Sequence, residues 1–180
     1  MTKITIIGAG MVGLSQGIAL AARGIDVTVI DHEDPARILN AEFDGRVSAI
    51  AWRSSKFLKS IGAWEYMLPH AQPILDIRVS EFGSNLFLHF DHKEIGNEPF
   101  GYIIENRHTR EALFKRAKEL SNLKLIAPAK IIKFNESSIE IERNQKSEII
   151  NHTLLIGADG KNSATRQAAQ IGGGGRRRAG

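Results

Sequence analysis

Lys3-Ile-Thr-Ile-Ile-Gly8-Ala-Gly10-Met-Val-Gly13-Leu-Ser-Gln-Gly17-Ile-Ala-Leu-Ala-Ala-Arg23-Gly24-Ile-Asp-Val-Thr-Val-Ile30-Asp31 decides the fold of this chain. Lys3 to Ile7 is a short β-branched run that reads as a buried strand. Leu14 to Arg23 has helix-forming composition, and Gly24 stands where a helix C′ residue belongs. Ile25 to Ile30 reads as a second strand, closed by Asp31. Strand, glycine turn, helix and strand make a βαβ unit, whose crossover implies a parallel sheet. Each glycine of Gly8-x-Gly10-x-x-Gly13 has a mechanical task. Gly8 allows the tight turn off the strand, Gly10 lets backbone approach a diphosphate, and Gly13 lets the helix pack close to the sheet. A diphosphate there meets free N–H groups and the positive end of the helix dipole. Asp31, 18 residues after Gly13, is placed to accept hydrogen bonds from ribose hydroxyls and to repel a 2′-phosphate. The fingerprint alone does not separate FAD from NAD.

Outward from this unit, Asp34-Pro35 opens a loop that runs through Asp44-Gly45-Arg46. Val47 to Ile61 reads as a helix ended by Gly62. Ile74 to Phe82 and Leu86 to Phe90 form an antiparallel hairpin around Gly83-Ser84-Asn85. Leu86, Leu88 and Phe90 point one way along it, an apolar face that reads first as ordinary core. Gly101 to Ile104 is a strand, and Arg107 to Leu120 is an amphipathic helix with Leu113, Phe114, Ala117 and Leu120 on one stripe. Strands follow at Leu123–Ile126, Lys130–Phe134, Ile139–Glu142, Ser147–Ile150 and Thr153–Ile156. Ser163 is a candidate N-cap for a helix over Ala164–Ala169. The fold class is therefore α/β, a Rossmann-like sheet with an inserted antiparallel sheet.

Composition excludes several chemistries. The 180 residues are 42% hydrophobic, enough for a core, and contain no cysteine, so disulfides and thiol nucleophiles are absent. Three of the 24 Lys and Arg are Arg176, Arg177 and Arg178; without them 21 cations face 20 acids. That balance argues against a nucleic-acid partner. No apolar run approaches the roughly 20 residues of a membrane span, and the N-terminal run reads as a strand rather than a signal peptide. His89-x-x-His92 with Asp91 is not a metal site, because positions 89 and 92 face opposite sides of a strand.

Three motifs, in order, resemble the FAD-dependent aromatic hydroxylases, the group A flavoprotein monooxygenases. They are the βαβ segment, Asp44-Gly-Arg-Val-Ser-Ala-Ile50 and Leu155-Ile-Gly-Ala-Asp-Gly160-Lys-Asn-Ser-Ala-Thr-Arg166. With Tyr102-Ile-Ile-Glu-Asn-Arg107, the set is most similar to the ubiquinone-biosynthesis hydroxylases, over residues 3 to about 171. The resemblance implies that Gly8, Gly10, Met11, Val12 and Gly13 cradle the FAD pyrophosphate and Asp31 holds the adenosine ribose. Arg46 is implied near the pyrophosphate or flavin, Arg107 on the FAD with Arg110 as its alternative, and Asp159 near the pyrophosphate and the nicotinamide approach. The plainer alternatives are a solvated loop arginine for Arg46, a surface ion pair for Arg107 and an Asp-Gly turn capped by Ser163 for Asp159.

The implied reaction uses NAD(P)H and O2 to hydroxylate an aromatic polyprenyl substrate, with no catalytic side chain and no metal. The expected location is cytoplasmic, with peripheral contact at the inner membrane or a quinone-biosynthesis complex. Alternatives are an FAD- or ADP-binding fragment without turnover, and an isoprenoid flavin reductase or epoxidase. Asp31 stands where the resembled family usually has Glu, and Thr109 where it has an apolar residue. The family's third signature, a Gly-Asp-Ala-type turn, has no counterpart before Gly180. The expectation is an N-terminal portion of the FAD-binding domain over 1–171, with the hairpin at about 74–90 inserted and 172–180 a disordered Gly/Arg tail.

Overall fold

The structure, a computed structural model, describes residues 2–40, 42, 44–83 and 86–172. In chain order, β1 (Lys3–Ile7), α1 (Met11–Ala21), β2 (Asp26–Ile30) and α2 (Pro35–Leu39) come first. Next are β3 (Val47–Ala51), α3 (Trp52–Ser60), α4 (Trp64–Met67), β4 (Gln72–Ile74), β5 (Asp76–Ser80), β6 (Phe87–Asp91), β7 (Gly101–Glu105) and α5 (Asn106–Lys118). Last are β8 (Leu123–Ile126), β9 (Lys130–Phe134), β10 (Ser138–Arg143), β11 (Lys146–Asn151), β12 (Leu154–Gly157) and α6 (Ala164–Ala168). They form two compact units, one of residues 1–38 with 117–180 and one of residues 39–116.

The first unit is built on a parallel sheet ordered β12-β1-β2-β8. Its β-branched strands have two buried faces, as a parallel sheet requires. On one face α1 lays the fully buried Leu14 and Ile18. Gly17 makes the close approach there: a Cβ on it would stand 3.0 Å from Val29 Cγ2. On the other face Ile7, Ile30 and Ile126 pack with Ile139 and Ile141 of the antiparallel sheet β11-β10-β9. Each such side chain contributes about 1.5–3 kcal/mol of burial. The strand order puts β1 in the middle, flanked by β2 and β12, so the loops after all three leave the same sheet edge.

The second unit holds the antiparallel sheet β3-β7-β4 and the hairpin β5-β6. Ile104 of β7 is buried, and Tyr102 meets Trp64 of α4 edge to face, with ring centroids 4.9 Å apart. α5 buries Ala112, Leu113 and Phe114, and with them Thr109, whose hydroxyl has no partner. The apolar residue expected at 109 would leave no such orphan.

Four expectations are corrected. Val47–Ala51 is a strand, because it pairs antiparallel with β7 from Val47↔Glu105 to Ala51↔Gly101; the helix begins only at Trp52. Pro35–Leu39, expected within a loop, forms a short helix whose first turn is closed by the Asp34 side chain accepting from the Ala36 N–H. The predicted strand Ile74–Phe82 is two, since Ile74 pairs with Gly101 of β7 whereas Asp76–Ser80 pairs with β6. The hairpin's apolar face is not core. Leu86, Leu88 and Phe90 are all exposed, as are Ile77, Val79 and Phe87. Among the described residues no helix is long and apolar enough to cross a membrane, and no group of three His, Cys, Asp or Glu is placed to hold a metal ion. His89 instead contacts Asp76 at 2.7 Å. Residues 173–180 of the expected tail lie outside the described residues.

Candidate functional site

The loop between β1 and α1 is set by contacts at both of its ends. The Gly8 N–H donates to the Ile30 carbonyl at 2.8 Å, which ties the end of β1 to β2. Gly8 adopts φ +105°, a conformation L side chains rarely take, and a Cβ there would stand 2.4 Å from the Ala158 carbonyl oxygen. Gly13 is tighter still, because its Cβ would lie 1.9 Å from the Gly8 carbonyl oxygen. The helix therefore starts almost in contact with the strand end. Gly13 thus brings the start of α1 against the ends of β1 and β12, and Gly17, one turn on, repeats the close approach against Val29.

Gly10 is different in kind. It is the N-cap of α1 with φ −70° and ψ −179°, and its side contributes no capping hydrogen bond. Nothing lies within 4 Å of a Cβ built on it. The helical ladder opens with the Leu14 N–H donating to the Gly10 carbonyl at 3.0 Å. The amides of Met11, Val12 and Gly13 thus belong to the turn that an α-helix leaves unpaired. Val12 projects outward and is exposed. The result is an open seat rimmed by amide donors at the positive end of an 11-residue helix.

Asp31 borders this seat. One carboxylate oxygen accepts from the Ala9 N–H and the other from the Glu33 N–H at 2.9 Å. His32 Nδ1 lies 3.2 Å from the second oxygen. The carboxylate therefore braces the glycine loop, a role that sequence spacing does not reveal. Its oxygens hold about four acceptor positions in all, so hydroxyl donors still find room.

Asp159 stands on the neighbouring loop, brought beside Gly8 by the β1–β12 pairing and by the Ala158 N–H donating to the Ile7 carbonyl at 2.7 Å. Its Oδ1 accepts from Ser163 Oγ at 2.6 Å, and its Oδ2 accepts from the N–H and Oγ1 of Thr165 at 3.0 and 3.1 Å. Ser163 Oγ accepts from the Arg166 N–H at 2.9 Å and so caps α6. The Arg166 guanidinium donates to the Lys161 carbonyl at 3.0 Å, which ties the two sides of the turn. Burial pushes the Asp159 carboxyl up, but the Ser163 and Thr165 hydrogen bonds outweigh it and leave the group below its ordinary 3.8. The sign follows. A depressed folded value stabilises the fold above the unfolded value and loses that contribution as pH falls through the folded one. Asp159→Asn should cost about 1–3 kcal/mol at neutral pH by leaving these donors poorly matched. Urea unfolding of both chains across pH checks it, with the gap closing only below 3.8.

Arg46 and Arg107 lie in the second unit, at one end of the β3–β7 pair, where the Asn106 N–H donates to the Arg46 carbonyl at 3.1 Å. Ser48 Oγ donates to Asn106 Oδ1 at 2.6 Å and fixes the start of α5. Arg46 Nε donates to Asp44 Oδ2 at 2.6 Å; this bond, with the Arg46 backbone amide, holds the exposed Asp44 carboxyl below the usual range. Arg107 Nε donates to Glu105 Oε2 at 2.6 Å. Of the expected residues, Gly8 to Gly13, Asp31 and Asp159 come together in the first unit, and Arg46 and Arg107 in the second. Sequence reasoning missed Ala9, whose amide Asp31 holds, and Ala158, against which Gly8 packs. The small residue between Gly157 and Asp159 is the one sequence signal for the latter.

Residues 1–179 match the family described as FAD binding domain. The chain belongs to that family. Among curated relatives, this FAD-binding domain is 40% identical over 96% of its length to ubiquinone hydroxylase UbiL of Rhodospirillum rubrum and covers 40% of that protein. It is 34% identical over 95% of its length to 3-demethoxyubiquinol 3-hydroxylase of Escherichia coli, covering 44% of that protein. The chain thus spans about two fifths of the length of the curated relatives it matches. Two solved structures share the fold. Pseudomonas aeruginosa PqsL gives a TM-score of 0.79 at 15% identity, over 99% of this chain and 48% of that one. The p-nitrophenol 4-monooxygenase PnpA of Pseudomonas putida gives 0.74 at 16%, over 94% and 44%. The residues present fit FAD: a seat that a Cβ at position 10 would fill, unpaired helix amides for a diphosphate, and a carboxylate with acceptor positions left for ribose.

Proposed function

We propose that the protein to which this FAD-binding domain belongs is an NAD(P)H-dependent monooxygenase that hydroxylates an aromatic polyprenyl substrate in ubiquinone biosynthesis. The similarity to the ubiquinone hydroxylase of R. rubrum over nearly the whole chain carries this reading. FAD, when bound, supplies the redox chemistry that takes electrons from the nicotinamide and passes an oxygen atom from O2 to the ring. The chain's own residues bind and orient. The amides of Met11, Val12 and Gly13 hold the diphosphate, Gly8 and Gly10 shape its seat, and Asp31 accepts from the ribose hydroxyls. By the family resemblance, Arg46 offsets charge at the pyrophosphate or flavin, Arg107 contacts the FAD, Asp159 lies near the pyrophosphate and the nicotinamide approach, and no side chain acts as a nucleophile. The apolar hairpin β5-β6 gives a polyprenyl chain a surface that needs no hydrogen bonds. Residues 1–171 act as one FAD-holding part with the 74–90 hairpin inserted, in a cytoplasmic protein touching the inner membrane or a quinone-biosynthesis complex peripherally.

A second reading is favoured by the share of the relatives that this chain covers: alone it binds FAD or ADP without turnover. Isothermal titration calorimetry with ADP and with 2′-phospho-ADP tests the site. ADP should bind at least about 10-fold more tightly, because the Asp31 carboxylate repels the added phosphate. Equal affinity would remove Asp31 from the ribose role. NADPH-dependent oxygen uptake by the chain should be nil with a polyprenyl phenol, and steady turnover would sink the second reading.

A further inference from the structure

The helix α3 turns an unusual side to solvent. Its sequence Trp52-Arg-Ser-Ser-Lys-Phe-Leu-Lys-Ser60 buries Ser55 and Leu58 and exposes Arg53, Lys56, Phe57 and Ser60 on the opposite side, with Lys59 exposed at the flank. It contains three cations and no carboxylate, in a chain whose charges are otherwise close to balanced. Among the described residues no carboxylate pairs with Arg53, Lys56 or Lys59. Lys56 Nζ instead lies 4.7 Å from the centroid of the Trp52 ring. Phe57 shares its face with Arg53 and Lys56 and has 43% of its surface open, and Leu68, just beyond α4, is open to a similar degree. The segment 52–70 carries a single acid, Glu65.

We propose that this side of α3 is a docking surface for an anionic phospholipid bilayer. Cations bound to no carboxylate release counterions on meeting anionic headgroups without breaking an existing pair. A phenylalanine flanked on its face by Arg53 and Lys56 is suited to the headgroup–acyl boundary, where the ring enters and the charged ends stay at the phosphates. A duplex nucleic acid meets the charges but has no use for the ring. The inference rests on the proposed function in one respect only: a polyprenyl substrate resides in a membrane.

The test is co-sedimentation of the chain with vesicles of mixed phosphatidylcholine and phosphatidylglycerol, and with phosphatidylcholine alone. Binding is expected to the mixed vesicles and not to the neutral ones. Arg53→Gln and Lys56→Gln should each weaken it about fivefold, Lys59→Gln less, and the triple variant by about 25-fold or more. Phe57→Ala should weaken it further at high salt, where the charges are screened. A chain with Arg176→Ser, Arg177→Ser and Arg178→Ser controls for the basic tail and should keep its binding. Circular dichroism and FAD titration of the α3 variants should match the parent. Unchanged binding of the triple glutamine variant, equal binding to neutral vesicles, loss of binding in the tail variant, or tighter binding to poly(U) RNA than to vesicles would each overturn the proposal. Absence of FAD binding by the parent would instead sink the flavoprotein reading and leave the vesicle result standing.

Discussion

A chain carrying Gly10→Val stays folded, within about 1 kcal/mol of the parent, and loses FAD affinity by about 100-fold or more, roughly 3 kcal/mol. Both halves of this expected result come from the same residue. Its backbone, at φ −70° and ψ −179°, is one any L-residue adopts, and the space around a Cβ is empty to 4 Å. Sterics therefore do not resist the larger side chain, and the cost to folding is that of a poorer helix N-cap, about 1 kcal/mol. The diphosphate does resist it, because the isopropyl group fills the space through which phosphate oxygens reach the first amides of α1. Thermal melting together with FAD titration separates the two. A variant that kept its affinity would show that the open seat at Gly10 is not where the diphosphate lies.

Gly13→Ala reverses the pattern. One added carbon at 1.9 Å from the Gly8 carbonyl oxygen meets backbone, not the end of a flexible side chain. Either α1 slides away from β1, uncovering Leu14 and Ile18, or the loop reshapes and abandons the Ala9–Asp31 bond. We expect a loss of about 3 kcal/mol or more, at the upper end of overpacking costs, and a fall in Tm of about 6–12 °C. FAD affinity falls with it, since the amides no longer point into one seat. Melting near the parent's Tm would show that the helix start can move cheaply, and that Gly13 is there for some other reason.

These two glycines stand three residues apart in one motif, and the motif alone does not say which is structural and which leaves room for a ligand. The reading of the βαβ unit holds because its signals are local: a β-branched run, a glycine turn, an apolar helix and a second run, all within about 30 residues. The three antiparallel strands β9 to β11 were legible for the same reason, through short apolar runs separated by polar turns. Val47–Ala51 was not. Val-Ser-Ala-Ile-Ala is acceptable to a helix and runs directly into one, and only pairing with Gly101–Glu105, some fifty residues on, makes it a strand. The hairpin's alternation was legible, but not what its faces would meet: alternation says that one side differs from the other, not that anything covers it. The bracing of the glycine loop by Asp31 was hidden because the Ala9 amide reaches it only across the β1–β2 pair. The role of Asp159 in starting α6 was half visible, through Ser163 as a cap, while Thr165 needed the turn's geometry.

The hydrogen bond from Ala9 to Asp31 has a kinetic consequence. With that strut closed, the receptor exists in its working shape before any cofactor arrives, so little ordering entropy remains to be lost at encounter. Capture should then follow a single exponential whose rate rises in proportion to flavin concentration, without the plateau that a loop obliged to rearrange first would impose.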